Sequence, residues 1–330
     1  MTEASVPAPL IVALGEAMLR LTPPDCSPLA AAPTLGVNVA GAELNLLIAA
    51  SALGARGRWL TRLPANELGT MIRRHALSYG LEVEAIEEPG GRAGLFFLER
   101  GVAPRPSSVL YDRAGSAASH LSTDDFDWDR ALAGASAAHV TGITCALGAG
   151  PLGAVVSFLQ AARRLGVTTS FDVNYRTQLW GADEARVALR SVLAFVDVLF
   201  VSPGDLALLA NRDDETEVLV QALRQEFDVA TLVLRERREV AYDQLAVSVI
   251  VVGDAASEAS ASGQVVDELG AGDAAAGAFL ASFLRGESNA VASQYCARAY
   301  ARALTIPGDS WSGSLRDLGD GYLAGRKLLR

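Results

Sequence analysis

The sequence predicts an α/β protein with a central, mostly parallel sheet, helices on both faces and a small β-flap. Short apolar or β-branched runs alternate with longer segments of helical spacing, which is typical of βαβ units. The region at about 90–116 breaks this alternation with two short strand-like stretches around a proline-rich bend. Half of the 330 residues are hydrophobic, so one large core can be buried.

The individual elements follow from their local patterns. Strands are expected at residues 10–13, 138–141, 168–171 and 198–201, and in the flap at 94–99 and 108–111. Helices are expected at 42–53, 67–79, 151–165, 182–194, 272–284 and 289–303, and most of these segments end at a glycine or a polar residue.

Other segments lack such a pattern. The Ala-, Ser- and Gly-rich stretch 253–264 is expected to be a mobile loop. Neither a repeat nor a linker is evident, so residues 1–330 are assigned to a single domain, with a lid contributed mainly by about 90–116.

Composition excludes several classes of function. The net charge is −10 and the 28 Lys and Arg residues are scattered, which argues against a nucleic acid partner. No apolar run approaches the roughly 18 residues that span a membrane, so a cytoplasmic protein is expected. The three cysteines are far apart, the three histidines lack ligand spacing, and a GxxxxGK[ST] phosphate-binding run is absent.

The most informative segment is the run DELGAGDAAAGAFLASFL at 267–284. Gly270 and Gly272 allow a ligand to approach the backbone before the helix begins. The amides of Ala271, Gly272 and Asp273 lie in the first helical turn, where they can bind an anion. A carboxylate beside such a site suggests a base that accepts a proton from a hydroxyl during phosphoryl transfer. The alternative is that Asp273 merely favours the helix N-terminus.

This run resembles the C-terminal signature D-T-x-G-A-G-D of the ribokinase-like (PfkB) carbohydrate kinases. The resemblance implies a ribokinase-like fold, ATP as phosphate donor, and Asp273 as the catalytic base. It also implies that Gly270, Ala271 and Gly272 stabilise the transferring phosphoryl group, with the two glycines contacting the nucleotide.

Further segments resemble the 2-keto-3-deoxygluconate kinase branch of this family. LGEAMLRLTPP at 14–24 looks like its first strand and turn. The stretch at 39–55 is similar to the family's G-G-x-x-x-N-x-A, which implies that Gly41 and Asn45 contact the sugar. For Asn45, the alternative is an amide on the helix surface.

The run LYDRAGSAASHL is similar to the segment that this branch carries at the edge of the lid. The resemblance implies that Tyr111 and Arg113 bind the substrate. A guanidinium can pair bidentately with the carboxylate of an acidic sugar. Without the resemblance, Arg113 would be interpreted as a surface arginine.

The run SFDVNYRTQLW at 170–180 resembles the family's F-D-x-N-x-R-x-x-L-W. Asp172 and Asn174 follow a predicted strand, at the sheet edge where such folds bind ligands, and Arg176 is a candidate for the sugar carboxylate or the phosphates. Alternatively, Asp172 and Arg176 pair with each other. The resemblance extends to the C-terminal turn, where Asp309 is expected near the sugar.

The nucleotide side departs from the family pattern. Where the family has Asn-x-x-Glu, this chain has Ser-Pro-Gly-Asp, from which we predict nucleotide contact by Ser202 and a Mg²⁺ site at Asp205. In the run LRERREV, Arg235 or Arg237 is a candidate for phosphate binding, although a solvated charge run is the favoured interpretation.

Together these features predict an ATP- and Mg²⁺-dependent kinase that phosphorylates 2-keto-3-deoxygluconate by in-line transfer. By resemblance to the family we also expect a homodimer. Two alternatives remain open at this point. One is another kinase of the family, acting on fructose or a nucleoside. The other is a sugar-binding or regulatory protein whose catalysis is weakened.

Overall fold

A nine-stranded sheet forms the centre of the protein. The computed structural model describes residues 7–319. The strands are β1 (Leu10–Leu14), β2 (Met18–Thr22), β3 (Gly36–Ala40), β4 (Arg56–Pro64), β5 (Glu82–Glu88), β6 (Leu95–Glu99), β7 (Ser108–Asp112), β8 (Ala137–Thr141), β9 (Thr168–Asp172), β10 (Val198–Val201), β11 (Thr231–Ala241), β12 (Gln244–Val252) and β13 (Ser257–Gln264). The central order is β13-β12-β11-β10-β9-β8-β1-β4-β5. Its strands are parallel from β11 to β5, whereas β12 and β13 are added in antiparallel fashion.

Ten α-helices accompany these strands within residues 7–319. They are α1 (Ala42–Ala52), α2 (Glu67–Ser78), α3 (Trp128–Ala131), α4 (Gly142–Cys145), α5 (Ala149–Arg164), α6 (Ala182–Leu193), α7 (Pro203–Ala210), α8 (Thr216–Phe227), α9 (Ala271–Leu284) and α10 (Asn289–Ala303). All six predicted helices are confirmed, with small differences at their ends. No helix in the described part is long and apolar enough to cross a membrane.

Apolar side chains cover both faces of the central sheet. On one face α1, α9 and α10 pack around Trp59 and Phe279, and on the other α5, α6 and α8 pack around Phe158 and Phe171. All four aromatic side chains are fully buried. Because helices occupy both faces, ligands can reach the sheet only at its edges, as the α/β prediction implied.

A second sheet of four strands, β3-β2-β6-β7, forms the lid. Strands β6 and β7 come from the predicted flap, whereas β2 and β3 come from the segment between β1 and α1. The lid has its own apolar cluster, formed by Met18, Ala40, Phe96 and Leu98. The chain therefore enters the lid directly from the first strand of the central sheet.

Most of the stretch predicted as a mobile loop is instead strand β13, whose eight residues pair with β12. Apart from Glu258 and Gln264 its side chains are small, so the periodicity of an amphipathic strand is not visible in the sequence. Small side chains are required here because α10 lies close to this strand. A Cβ atom on Gly263 would stand 2.3 Å from the carbonyl oxygen of Ala301.

Candidate active site

Two cavities lie at the carboxyl edge of the central sheet. The larger has a volume of about 500 Å³ and is bordered by the ends of β9 and β10 and by the middle of β11. The smaller, of about 100 Å³, lies between the lid and the start of α1. The two share five lining residues, which are Asn174, Arg176, Leu269, Gly270 and Asp273.

The sequence-predicted residues are divided between these cavities. Gly41, Asn45, Tyr111, Arg113 and Asp309 line the smaller cavity. Ser202, Asp205, Arg235 and Gly272 line the larger one. Asp172 was predicted to contact the sugar, but it lines the larger cavity. Ala271 is fully buried and lines neither.

The turn at residues 270–273, which we call the anion nest, joins the two cavities. Gly270 has a φ of 78°, in the left-handed region that favours glycine. A Cβ atom there would also stand 1.8 Å from the carbonyl oxygen of Asp309. The amide of Ala271 makes a long bond of 3.5 Å to the carbonyl of Glu268. The next two amides, at the positive end of α9, have no acceptor among the described residues and can receive an anion.

Asp273 lies in the first turn of α9 and is held by Asn45, which lies on α1. The side-chain amide of Asn45 donates a 2.9 Å hydrogen bond to Oδ2 of Asp273, and its oxygen accepts one of 3.2 Å from Ser310. Burial raises the pKa of Asp273 to about 6, while the bond from Asn45 and the charges of Arg176 and Arg235 act in the opposite direction. Asp273 is thus ionised near neutral pH and basic enough to accept a proton.

Arg113 reaches the smaller cavity from the end of the lid. Its guanidinium donates to Glu16, a buried carboxylate that also accepts a 2.5 Å bond from Ser116. The ring of Tyr111 lies beneath the guanidinium, 5.8 Å from it. Glu16 has no local signal in the sequence, because only the folded chain brings it to Arg113. Its carboxylate holds the guanidinium at the cavity wall.

Gly41 precedes α1 and is extended, so its backbone conformation does not require glycine. The available space does require glycine, because a Cβ atom would stand 2.4 Å from the carbonyl oxygen of Glu16. Asp309 also lines this cavity and accepts a 3.0 Å bond from Arg20. Burial raises the pKa of Asp309 to about 7, although Arg20 opposes this shift.

In the larger cavity, the side chain of Arg235 is only 12% exposed and is ion-paired rather than solvated, which corrects the favoured interpretation of its charge run. Its guanidinium donates to Asp172 at 2.6 Å and to the carbonyl of Gly272 in the nest at 2.7 Å. The alternative pairing of Asp172 with Arg176 is therefore wrong. Arg176 is exposed and forms no ion pair within residues 7–319. Arg237 is exposed, as predicted.

Asp205 serves as part of a helix cap. Ser202 and Asp205 form a capping box at the start of α7, in which Oδ2 of Asp205 accepts bonds from the amide and hydroxyl of Ser202. Oδ1 accepts only a long bond of 3.4 Å from the amide of Tyr175. Nearby, Oδ1 of Asp172 is buried without any hydrogen-bond partner. A buried carboxylate oxygen without a protein partner is uncommon and is normally satisfied by a water or an ion.

The tip of the lid touches the hairpin formed by β11 and β12. The amide of Ala103 donates to the hydroxyl of Tyr242 at the end of this hairpin. A second contact runs from Arg100 to the carbonyl of Val266, at 3.4 Å. The lid thus extends from the wall of the smaller cavity to the rim of the larger one.

Comparison with known proteins identifies the family. The pfkB family carbohydrate kinase model matches residues 8–305. A 2-dehydro-3-deoxygalactonokinase of Haloferax volcanii is 34% identical over 91% of this chain and 92% of its own length. A 2-dehydro-3-deoxygluconokinase of Thermoproteus tenax is also 34% identical, over 91% of this chain and 90% of its own.

Solved structures agree with this assignment. The crystal structure of the 2-dehydro-3-deoxygluconokinase of Thermotoga maritima superimposes with a TM-score of 0.89 at 32% identity. It covers 94% of this chain, and the match includes 97% of the crystallised chain. The ribokinase-like fold and the sugar kinase resemblance are both confirmed. The chain therefore belongs to the pfkB family of carbohydrate kinases.

Proposed function

We propose that the protein transfers the γ-phosphate of ATP to a hydroxyl of 2-keto-3-deoxygluconate or a closely related keto-deoxy sugar acid. The observation that carries this proposal is the position of Asp273, a raised-pKa carboxylate at the junction of two cavities. The smaller cavity, beneath the lid, would hold the sugar. The larger, with Arg235 and the open nest amides, would hold the nucleotide.

In-line transfer follows from this arrangement. A sugar hydroxyl in the smaller cavity gives its proton to Asp273 as its oxygen attacks the γ-phosphorus. The bond between that phosphorus and the β,γ-bridging oxygen breaks, and ADP leaves with the bond's electrons. The amides of the nest and the unpaired guanidinium of Arg176 stabilise the negative charge on the transferring group. Asp273 then releases its proton to solvent.

The sugar acid's carboxylate is assigned to Arg113. This guanidinium lies within the smaller cavity, and Glu16 fixes it without blocking the whole fork. The names of the relatives support the substrate class, since they specify 2-dehydro-3-deoxy sugars of the galactono and glucono series. These series differ in sugar configuration, so the proposal concerns the class that both names share.

Mg²⁺ fits the larger cavity through Asp172 and Asp205. The partnerless Oδ1 of Asp172 and the weakly bonded Oδ1 of Asp205 offer carboxylate oxygens in one cavity. Residues 7–319 contain no cluster of three metal-ligating side chains. This suits Mg²⁺, which keeps most of its waters and is commonly held by one or two carboxylates and substrate phosphates. When bound, it would neutralise phosphate charge.

We further propose a homodimer formed through the outward face of the lid. Val37, Leu21, Phe97 and Leu110 are register partners, so they form one apolar row across all four strands. Val37 is 49% exposed and Leu110 61%. A second copy of this chain would cover the row. Sedimentation velocity should give a dimer for the natural protein and a monomer for Leu110→Glu, and a monomer for both would disprove the proposal.

The test of function is ADP release in a coupled assay with Mg²⁺ and ATP, comparing 2-keto-3-deoxygluconate with its galactonate epimer, fructose, ribose and adenosine. Turnover with the keto-deoxy acids alone is expected. Asp273→Asn should abolish turnover while calorimetry still detects sugar binding, and Asp254→Asn, at an exposed turn, should behave as the natural protein. Turnover only with fructose or a nucleoside would reject the substrate class.

The cytoplasm, where ATP is available, stays the predicted compartment.

A further inference from the structure

Arg20 is a buried arginine that touches neither cavity. It lies on β2, a lid strand, and only 2% of its side chain is exposed. One arm of its guanidinium donates to Asp267 at 2.5 Å, and the other donates to Asp309 at 3.0 Å. Its Nε bonds to Thr22 at 3.0 Å. The guanidinium thus links the lid with two separate segments that surround the anion nest.

Each of the two aspartates holds part of the backbone around the nest. Asp267 accepts a 3.2 Å bond from the amide of Leu269, the residue before the nest, and another of 3.2 Å from the amide of Gly308. Asp309 follows directly, and its carbonyl oxygen lies against the Cα of Gly270. The conformation of the nest therefore depends on where the two carboxylates are fixed.

Arg20 is the cation that holds the carboxylates of Asp267 and Asp309 in place. Two carboxylates are buried here with one guanidinium, and the like charge of Asp267 and Asp273 contributes to the raised pKa of Asp309. Without the cation, the two carboxylates would repel each other or one of them would take up a proton, and in either case the segments that carry them would lose the link that holds them together. Lysine could not replace the fork, because an ammonium is a point charge that reaches one carboxylate well.

We propose that Arg20 is a positioning residue for phosphoryl transfer, because it fixes the nest relative to the base of the lid. This inference rests on the proposed kinase function. Arg20 does not contact either substrate. Its effect would be to keep the nest amides aimed at the charge that develops on the transferring phosphoryl group. Such alignment affects the transition state more than substrate binding.

The test compares Arg20→Lys and Arg20→Met with the control Arg58→Met. Arg58 also joins a glutamate, at 2.8 Å, to a backbone carbonyl, at 2.8 Å, but lies near the start of β4, far from the carboxyl edge. We expect kcat to fall about 100-fold in Arg20→Met and about tenfold in Arg20→Lys, with KM changed less than about threefold. Arg58→Met should lose stability while its kcat stays within about twofold.

A second measurement does not require turnover. Hydrogen exchange followed by mass spectrometry should show faster exchange in a peptide covering residues 267–275 of Arg20→Lys, and no change there in Arg58→Met. If Arg20→Met does not fold, Arg20→Lys decides the question. Unchanged kcat together with unchanged exchange in Arg20→Lys would overturn the inference, and so would a rise in KM at constant kcat. If the natural protein phosphorylates no sugar, the proposed function fails, while the exchange result still decides whether Arg20 orders the nest.

Discussion

The hydrogen bond from Asn45 to Asp273 gives a quantitative prediction for the pH dependence of turnover. Asn45 is only 4% exposed, and leucine has nearly the same shape, so Asn45→Leu removes the donor with little change in packing. The bond favours the ionised form of Asp273, whose pKa is about 6. Without it, the pKa must rise, and the base will be protonated at a higher pH.

The size of the shift follows from the strength of the bond. A hydrogen bond to a charged group contributes about 1.5–3 kcal/mol, and one pH unit corresponds to about 1.4 kcal/mol. The pKa of Asp273 in Asn45→Leu is therefore expected to lie roughly one to two units above its value of about 6 in the natural protein. Activity, which requires the ionised base, would then already decline at neutral pH.

The assay is the pH profile of kcat between pH 5 and pH 9 with saturating ATP and sugar. Ser310→Ala is the matched control, because it removes the 3.2 Å bond on the other side of Asn45 and leaves the donor to Asp273 in place. Its profile should move by less than about half a unit. An acid limb that stays near pH 6 in Asn45→Leu would refute this reasoning and leave Asn45 as a sugar contact alone.

Three further predictions concern the anion nest, the lid and Glu43, a buried residue of α1 whose carboxylate accepts hydrogen bonds from Thr141 and Thr144. Burial raises the pKa of Glu43 from 4.5 to about 7, so the free energy of unfolding should fall by roughly 3 kcal/mol as pH rises through this range. Urea denaturation should show no such fall for Glu43→Gln. Parallel curves of unfolding free energy against pH for the two proteins would contradict the prediction. Gly270→Ala should lower kcat at least tenfold and destabilise the fold by more than the roughly 1–2 kcal/mol that a left-handed alanine costs. Gly134 has a φ of 73° with open space around it, so Gly134→Ala should lose only the stability that the left-handed backbone costs. Arg113→Met should raise KM for keto-deoxy acids about 100-fold and leave KM for neutral sugars unaffected. Arg92 is a more exposed arginine of the lid, and Arg92→Met should leave KM unchanged. Equal losses for acidic and neutral sugars would show that Arg113 does not recognise the carboxylate.

The helices and the nest could be predicted because their signals are local. Apolar spacing and glycine positions within about 15 residues define α9 and the turn before it. The partners of the site residues could not be predicted in this way. Asn45 and Asp273 are 228 positions apart, and Arg20 and Asp309 are 289 apart. Only the fold brings them together, so neither Arg20 nor the orientation of Asp273 has a local signature.

Two other differences between the sequence-based predictions and the structure have other physical causes. Strand β13 lacked the alternation of large and polar residues, because its inner side chains must be small beneath α10. The segment Ser-Pro-Gly-Asp stands where the family has Asn-x-x-Glu, and the metal site predicted from that position obscured an ordinary helix start, with a proline in the first turn and a capping box. Asp205 is thus partly committed to structure, and the oxygen without a partner belongs to Asp172.

The contact between Ala103 and Tyr242 has a consequence for the order of events in a catalytic cycle. It joins the lid over the smaller cavity to the hairpin that borders the larger one. If this contact and the bond from Arg100 to Val266 part together when the lid moves, both cavities open at once, so phosphorylated sugar and ADP would leave after a shared opening step. Product release would then be one gated event rather than two independent ones, and its rate would be set far from the reacting atoms.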